Sequence, residues 1–238
     1  MKTQTAIIAL RIFLGRLSGR VNQYNEQGQK HGHWIKRDTN GRVVEDHFLD
    51  DKQNGHWVIR HADSTVHEGP MVDGKPHGHW ILRFADGGVA EGALVSGKRH
   101  GRWVMRTADG TVAEGPYVNG KQHGQWTEQF ADGSVWEGPY VNDTKHGHWV
   151  ERDADGDVNE GSYVNDKKHG HWAVRTVGGV FEGPIVNGEP SGHWVLRTAI
   201  GTVEQGLMVD GEKHGEWVLQ YPDGRRVVFD YHNGELVE

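Results

Sequence analysis

The chain has 238 residues, of which 35% are hydrophobic, with 35 glycines, no cysteine and a formal net charge of −7. The lack of cysteine removes disulfides, thiolate metal sites and Cys nucleophiles together. Acidic and basic residues are interleaved, so no basic tract points to nucleic acid, and the apolar content is low for a conventional globule.

Residues 1–27 differ from the rest. "MKTQTAIIALRIFLGRLSGR" opens with a basic end and an apolar run, as an export signal does. Arg11 interrupts that run, no small-x-small cleavage site follows, and the run falls short of the ~20 apolar residues that span a bilayer. Three readings stay open: a degraded export signal, a cap on the first hairpin, or a peripheral membrane anchor. Export to the cell envelope is favoured over the cytoplasm.

From residue 28 to 238 the chain repeats. Tryptophan recurs at Trp34, Trp57, Trp80, Trp103, Trp126, Trp149, Trp172, Trp194 and Trp217, every 23 residues except for one interval of 22. Only Trp136 stands outside the series. Self-similarity of this length is the mark of a solenoid-like array, in which each unit buries its apolar residues against its neighbours.

Each unit reads as two short strands and two turns. In "GHWILRFADGGVAEGALVSGKRHG" the runs around Trp80 and Glu91 are β-branched, aromatic or alternating, whereas "ADG" and "SGK" are turn sequences. Asp86-Gly87, Asp109-Gly110 and Asp132-Gly133 supply the left-handed backbone of one bend, and Asn119-Gly120 and Asn187-Gly188 that of the other. A three-residue "ADG" loop pairs Phe84 with Gly88 and sets Trp80 opposite Gly92. The same offset of 12 recurs at Trp57–Gly69, Trp103–Gly115, Trp126–Gly138, Trp149–Gly161 and Trp194–Gly206. In the short unit a two-residue Val177-Gly178 bend restores the pair as Trp172–Gly183. Gly92, Gly115, Gly138 and Gly161 are therefore read as bare backbone sheltered by an indole.

This register sets Arg83 diagonally from Glu91 on one face, and likewise Arg60/Glu68, Arg106/Glu114 and Arg152/Glu160, with Arg37/Glu45 in the first unit. Like groups recurring along a line are poor catalysts, since catalysis needs unlike groups converging on a point. Ser64, Ser134 and Ser191 are isolated, so no enzyme is expected and no cofactor is implied. Histidine fills the "HG" position seven times (for example His77) and precedes Trp six times (for example His79). Equivalent histidines lie about 10 Å apart, too far to share an ion held at about 2.1 Å. The position before Trp also accepts Arg102, Gln125 and Glu216, so no native metal is assigned. "DADGD" at 153–157 is read as a charged turn, because it lacks the calcium-loop glycine and final glutamate.

"EGPYVNGKQHGQWTEQFADGSVWEGPYVNDTKHG" resembles the membrane occupation and recognition nexus (MORN) repeat. The matching positions include Glu114, Gly115, Tyr117, Asn119, Gly120, Lys121, His123, Gly124, Asp132, Gly133, Glu137 and Gly138. Where that family carries a second glycine after "HGx", this chain has Trp, which is closer to bacterial variants of the repeat. The resemblance implies an all-β fold, an elongated single-layer antiparallel sheet of about nine stacked 23-residue hairpins, twisted or curled. It also implies scaffolding, self-association or membrane-associated roles rather than catalysis. Two strands per unit at ~4.8 Å advance such an array by about 10 Å per repeat.

The expected function is a non-enzymatic repeat scaffold binding a protein partner or itself. The alternative is a carbohydrate- or lipid-surface module using an aromatic ladder of Trp80, Trp103, Tyr117, Trp126, Tyr140, Trp149 and Tyr163, left partly open by the single-layer sheet.

Overall fold

The computed structural model describes residues 21–237. These residues contain 24 strands, all antiparallel, and no helix. The chain divides into two compact units, one ending at Lys121 and the other starting at Gln122.

The first unit shows the construction. Strand Gly78–Arg83 runs into a bend, strand Val89–Val95 returns from it, and strand Lys98–Arg106 begins the next repeat. At the bend Phe84 N–H donates to Gly88 O and Gly87 N–H to Phe84 O, with Gly87 at φ 95°, as the "ADG" reading requires. Asp86 Oδ1 accepts the Gly88 N–H at 2.9 Å, which closes the loop from inside. At the opposite end Ser96 and Gly97 both take positive φ, the geometry that matches a two-residue hairpin to strand twist. Asn119-Gly120 and Asn187-Gly188 do the same.

The second unit repeats the plan, from Val135–Val141 and Gly147–Arg152 through Glu212–Gln220 and Arg226–His232. Its short repeat turns at Val177-Gly178, with Thr176 opposite Gly179 and Trp172 opposite Gly183. The lost residue fell in the bend, where register survives it.

A Trp strand such as Lys98–Arg106 lies between two partners. Trp103 faces Gly115 twelve residues ahead and Gly92 eleven behind, which together make the 23-residue period. The indole rests on the glycine behind. A Cβ added to Gly92 would stand 2.5 Å from Trp103 Cγ, and one on Gly138 would stand 2.2 Å from Trp149 Cδ2. Gly69, Gly161, Gly183 and Gly206 lie the same way under Trp80, Trp172, Trp194 and Trp217. The forward register is as the sequence implies, but the ring shelters the glycine of the preceding repeat instead of the one across the bend. The "HG" motif contributes to this placement. Gly101 takes φ 66°, and register slips between His100 and Trp103, a bulge that leaves Gly101 and Arg102 without partners on the strand behind while they pair with Tyr117 and Pro116 on the strand ahead. Trp103 Nε1 then donates to Ala93 O at 2.9 Å, and Trp80 Nε1 donates to Pro70 O at 3.0 Å.

The two ends depart from the template. At the start strand Gln23–Tyr24 pairs with the Trp34 strand in the place that a preceding repeat takes elsewhere. Trp34 Nε1 donates to Gln23 O, and Tyr24 packs edge-on at 5.1 Å. Of the N-terminal 27 residues, 1–20 lie outside the described residues, while 21–24 pair with the first Trp strand. At the other end Phe229 stands opposite Trp217, where the repeat before has Gly206 opposite Trp194. Its ring packs against the second unit's core.

Asp46 is a third departure. It stands opposite Trp34 at the glycine position and is 4% exposed. Gln53 Nε2 donates to its Oδ2 and His47 N–H to its Oδ1. Burial raises its pKa against the lowering effect of those bonds. Trp57, the next indole, packs tilted against Trp80 at 5.5 Å.

Two predictions follow from the glycine seat. Gly138→Ala should destabilise the fold by about 2–3 kcal/mol, since a Cβ drives into an indole with nowhere to move. Gly133→Ala, at φ 95° with open space around it, should cost only about 1 kcal/mol of backbone strain. Asp46→Gly should raise stability in urea by about 1 kcal/mol, by freeing the seat for Trp57. A carboxylate of raised pKa is penalised once ionised, so this gain should be larger at pH 7 than at pH 3.

Candidate functional site

Strand alternation gives each unit two unlike faces, because directly opposed residues share a face. In the first unit one face carries Trp103, Met105, Ala90 and Ala113. The other carries Arg102, Val104, Arg106, Glu91 and Glu114.

The indole face is closed. Trp103 and Trp149 are 0% exposed, Trp126, Trp80, Tyr117 and Tyr163 are also buried, and Tyr140 is half-buried. The expectation of a partly open aromatic ladder is therefore corrected. Each ring lies flat on backbone, tyrosine edges fill the gaps between rings, and cations cover the outside. Tyr163 stands perpendicular between Trp149 at 6.0 Å and Trp172 at 5.3 Å. Arg99 sits 4.7 Å from the Trp103 ring centre, Lys145 4.2 Å from Trp149, Lys168 4.0 Å from Trp172 and Lys213 4.4 Å from Trp217. These cations stand four residues before their Trp. The signal is present in the sequence as "KHGHW" and its relatives, where the cation precedes the more conspicuous histidine.

One stretch of this face is polar. Glu151 accepts from Tyr163 Oη at 2.7 Å and Asn159 Nδ2 at 3.1 Å, with Lys168 Nζ at 3.4 Å and Lys145 Nζ at 3.9 Å. Burial, followed by the bond to Glu151, raises the Tyr163 pKa. Trp136, the tryptophan outside the series, stands opposite Glu151 with Lys145 over its ring at 4.5 Å. All these groups find partners within the cluster, which makes it a satisfied network.

The opposite face carries the charge ladder, and its pairing corrects the sequence reading. Arg83 meets Glu68, not Glu91, and Arg106 meets Glu91, not Glu114. Arg60–Glu45, Arg152–Glu137, Arg175–Glu160 and Arg197–Glu182 follow the same rule. Every one of these bonds joins a repeat to the one before it. Both diagonals from an Arg reach a Glu two positions off the direct pair, and strand twist makes them unequal. The other carboxylate oxygen goes to the residue preceding Trp. Arg102 reaches Glu114 at 2.7 Å, and His79 and His171 reach Glu91 and Glu182 at 3.6 Å. The histidine of "HGHW" thus sits on a carboxylate within its own hairpin. Among the described residues no three His, Asp or Glu side chains converge as a metal site, and no helix is long and apolar enough to cross a membrane.

What this face leaves uncovered is a row of valines beside the two-residue turns. Val72, Val95 and Val118 are 45%, 44% and 41% exposed in the first unit; Val141, Val164, Val186 and Val209 are similarly open in the second. In the first unit Val72 is opposed by Lys75 and Val95 by Lys98. In the second unit the opposing residues are Thr144, Lys167, Glu189 and Glu212.

No protein-family profile matches the chain, and neither does any curated protein sequence. Among solved structures, it is similar to a mutant of the TCP10 domain of Danio rerio CPAP, with 12% identity over 87% of this chain and 97% of that one and a TM-score of 0.43. The SAS-4 TCP domain of Drosophila melanogaster, in complex with a proline-rich motif of Ana2, matches 72% of this chain and 87% of its own at 13% identity and a TM-score of 0.40. Virginiamycin B lyase from Staphylococcus aureus matches 87% and 71% at 11% identity and a TM-score of 0.18.

The backward pairing can be measured with double-mutant cycles. Arg106 and Glu91 should couple by about 0.2–1 kcal/mol, and Arg106 and Glu114 by nothing above error. A larger coupling in the second cycle would restore pairing across the bend.

Proposed function

We propose that this chain is a non-enzymatic scaffold of MORN-type repeats that binds a protein partner along its charged face. The observation that carries this reading is the valine row. Seven repeats each leave one β-branched apolar side chain open at the same place, on a protein that buries seven of its ten tryptophans. Recurrent exposed apolar surface marks a contact site. A line of small contacts suits a long partner better than a compact substrate.

The glycan or lipid alternative needed open aromatic rings. Burial of Trp80, Trp103, Trp126 and Trp149 withdraws support from it. Asp46, the one buried carboxylate among the described residues, is occupied by Gln53 and His47 and lends no support to a catalytic reading.

Chemical cross-linking of the full chain in native lysate, read by mass spectrometry, should give partner links concentrated at Lys52, Lys75, Lys98, Lys121 and Lys167, which flank the valine row. Light scattering on the purified chain would show whether that partner is a second copy. A chain that stays monomeric and yields no links at these lysines would remove the scaffold reading.

A further inference from the structure

We infer that the valine row of the first unit, Val72, Val95 and Val118, is a docking track for an acidic segment in the polyproline II conformation. Such a segment would have an apolar residue at every third position. This rests on the scaffold reading and names the partner's chemistry.

The first argument is spacing. Successive valines are separated by two strands, about 9.6 Å at the usual ~4.8 Å strand separation. A partner laid across the strands must present apolar side chains at that interval and on one side. A polyproline II helix turns once in 3 residues with ~3.1 Å rise, so every third side chain points the same way at about 9.3 Å. An extended strand has a similar three-residue span, but residues i and i+3 point to opposite faces. An α-helix returns to one face after seven residues at about 10.5 Å. Over the two intervals from Val72 to Val118 the polyproline II segment drifts by roughly 0.6 Å and the α-helix by roughly 1.8 Å. Only the first stays in register without bending.

The second argument is charge. Lys75 and Lys98 stand directly opposite Val72 and Val95 on the same face, and Lys121 closes the Asn119-Gly120 turn that follows Val118. His77 and His100 are exposed beside them. The glutamates further in are already engaged, Glu68 by Arg83 and Glu91 by Arg106 and His79. Asp73, at its turn, is the one acid along these three repeats' outer edge. In the second unit the valines persist, but Lys167 is the one lysine opposite them: Thr144 opposes Val141, and Glu189 and Glu212 oppose Val186 and Val209. The apolar spacing is thus common to both units, and the run of successive lysines belongs to the first.

The experiment uses the full chain and a labelled 15-residue peptide of five Pro-Glu-Leu triplets, followed by fluorescence anisotropy at low salt. Binding should be at least tenfold tighter than for Pro-Lys-Leu or Pro-Glu-Ser repeats, or for an acidic helical peptide with leucine every seventh residue. Val95→Ser with Val118→Ser should weaken it about tenfold, and Lys75→Glu with Lys98→Glu should shift preference toward the Pro-Lys-Leu peptide. Val186→Ser with Val209→Ser should change it less than twofold. Circular dichroism confirms that each variant is folded, and wild-type protein with the four peptides decides the matter independently of the variants. No binding of the Pro-Glu-Leu peptide, equal binding of the helical peptide, or an equal loss from the second-unit variant would overturn the track. A cross-linked partner that the Val95→Ser, Val118→Ser protein still holds would overturn it while leaving the scaffold intact. The absence of any partner would remove both.

Discussion

Within each unit the structure depends on an indole lying flat on a glycine of the strand behind it. Gly69, Gly92, Gly138, Gly161, Gly183 and Gly206 leave no room for a Cβ, since each would meet a tryptophan ring at 2.2–2.5 Å. Contact this close removes apolar area from both ring and backbone and anchors the indole N–H on a carbonyl of the same strand. A single-layer sheet has no second layer to bury its side chains against. Here the sheet's own backbone serves as that layer, and glycine is the residue that makes it accessible.

The other inter-repeat bonds run in the same direction. Arg106 reaches back to Glu91 as Trp103 reaches back to Gly92, and turn N–H groups such as Gly97 and Gly120 donate to Pro76 O and Arg99 O of the repeat before. Where an amide with a side chain replaces turn glycine, the link is doubled: Asp166 N–H donates to Lys145 O, and its carboxylate accepts the Lys145 N–H at 2.6 Å. Each repeat is therefore defined by what it grasps behind it. This accounts for the two ends. Trp34 grasps Gln23, and Phe229 fills with its own side chain the seat that a further tryptophan would need.

The exposed aspartates of the bends complement this. In Asp63 and Asp132 the carboxylate pKa is lowered by the N–H of the residue two ahead; in Asp109 the Thr107 hydroxyl acts first, and in Asp223 the Arg225 side chain. Groups of lowered pKa support the fold above their unfolded pKa and lose that support as the pH falls through the folded value. The bends therefore loosen in acid while Asp46, raised by burial, is relieved there.

The amino-acid sequence alone determined the period, both bends, the Trp-to-Gly offset of 12 and the compensating short bend at Val177-Gly178. All of these are local, written by turn residues and by strict alternation. It also determined which side chains share a face, because alternation leaves no freedom there. Only the tertiary structure decided which neighbour each side chain takes. A strand inside a sheet has two partners, so Trp103 stands opposite both Gly92 and Gly115, and Arg106 lies diagonal to both Glu91 and Glu114. Sequence spacing makes the two choices look alike. Strand twist and the bulge at Gly101 make them unequal, and they turn both side chains toward the repeat behind.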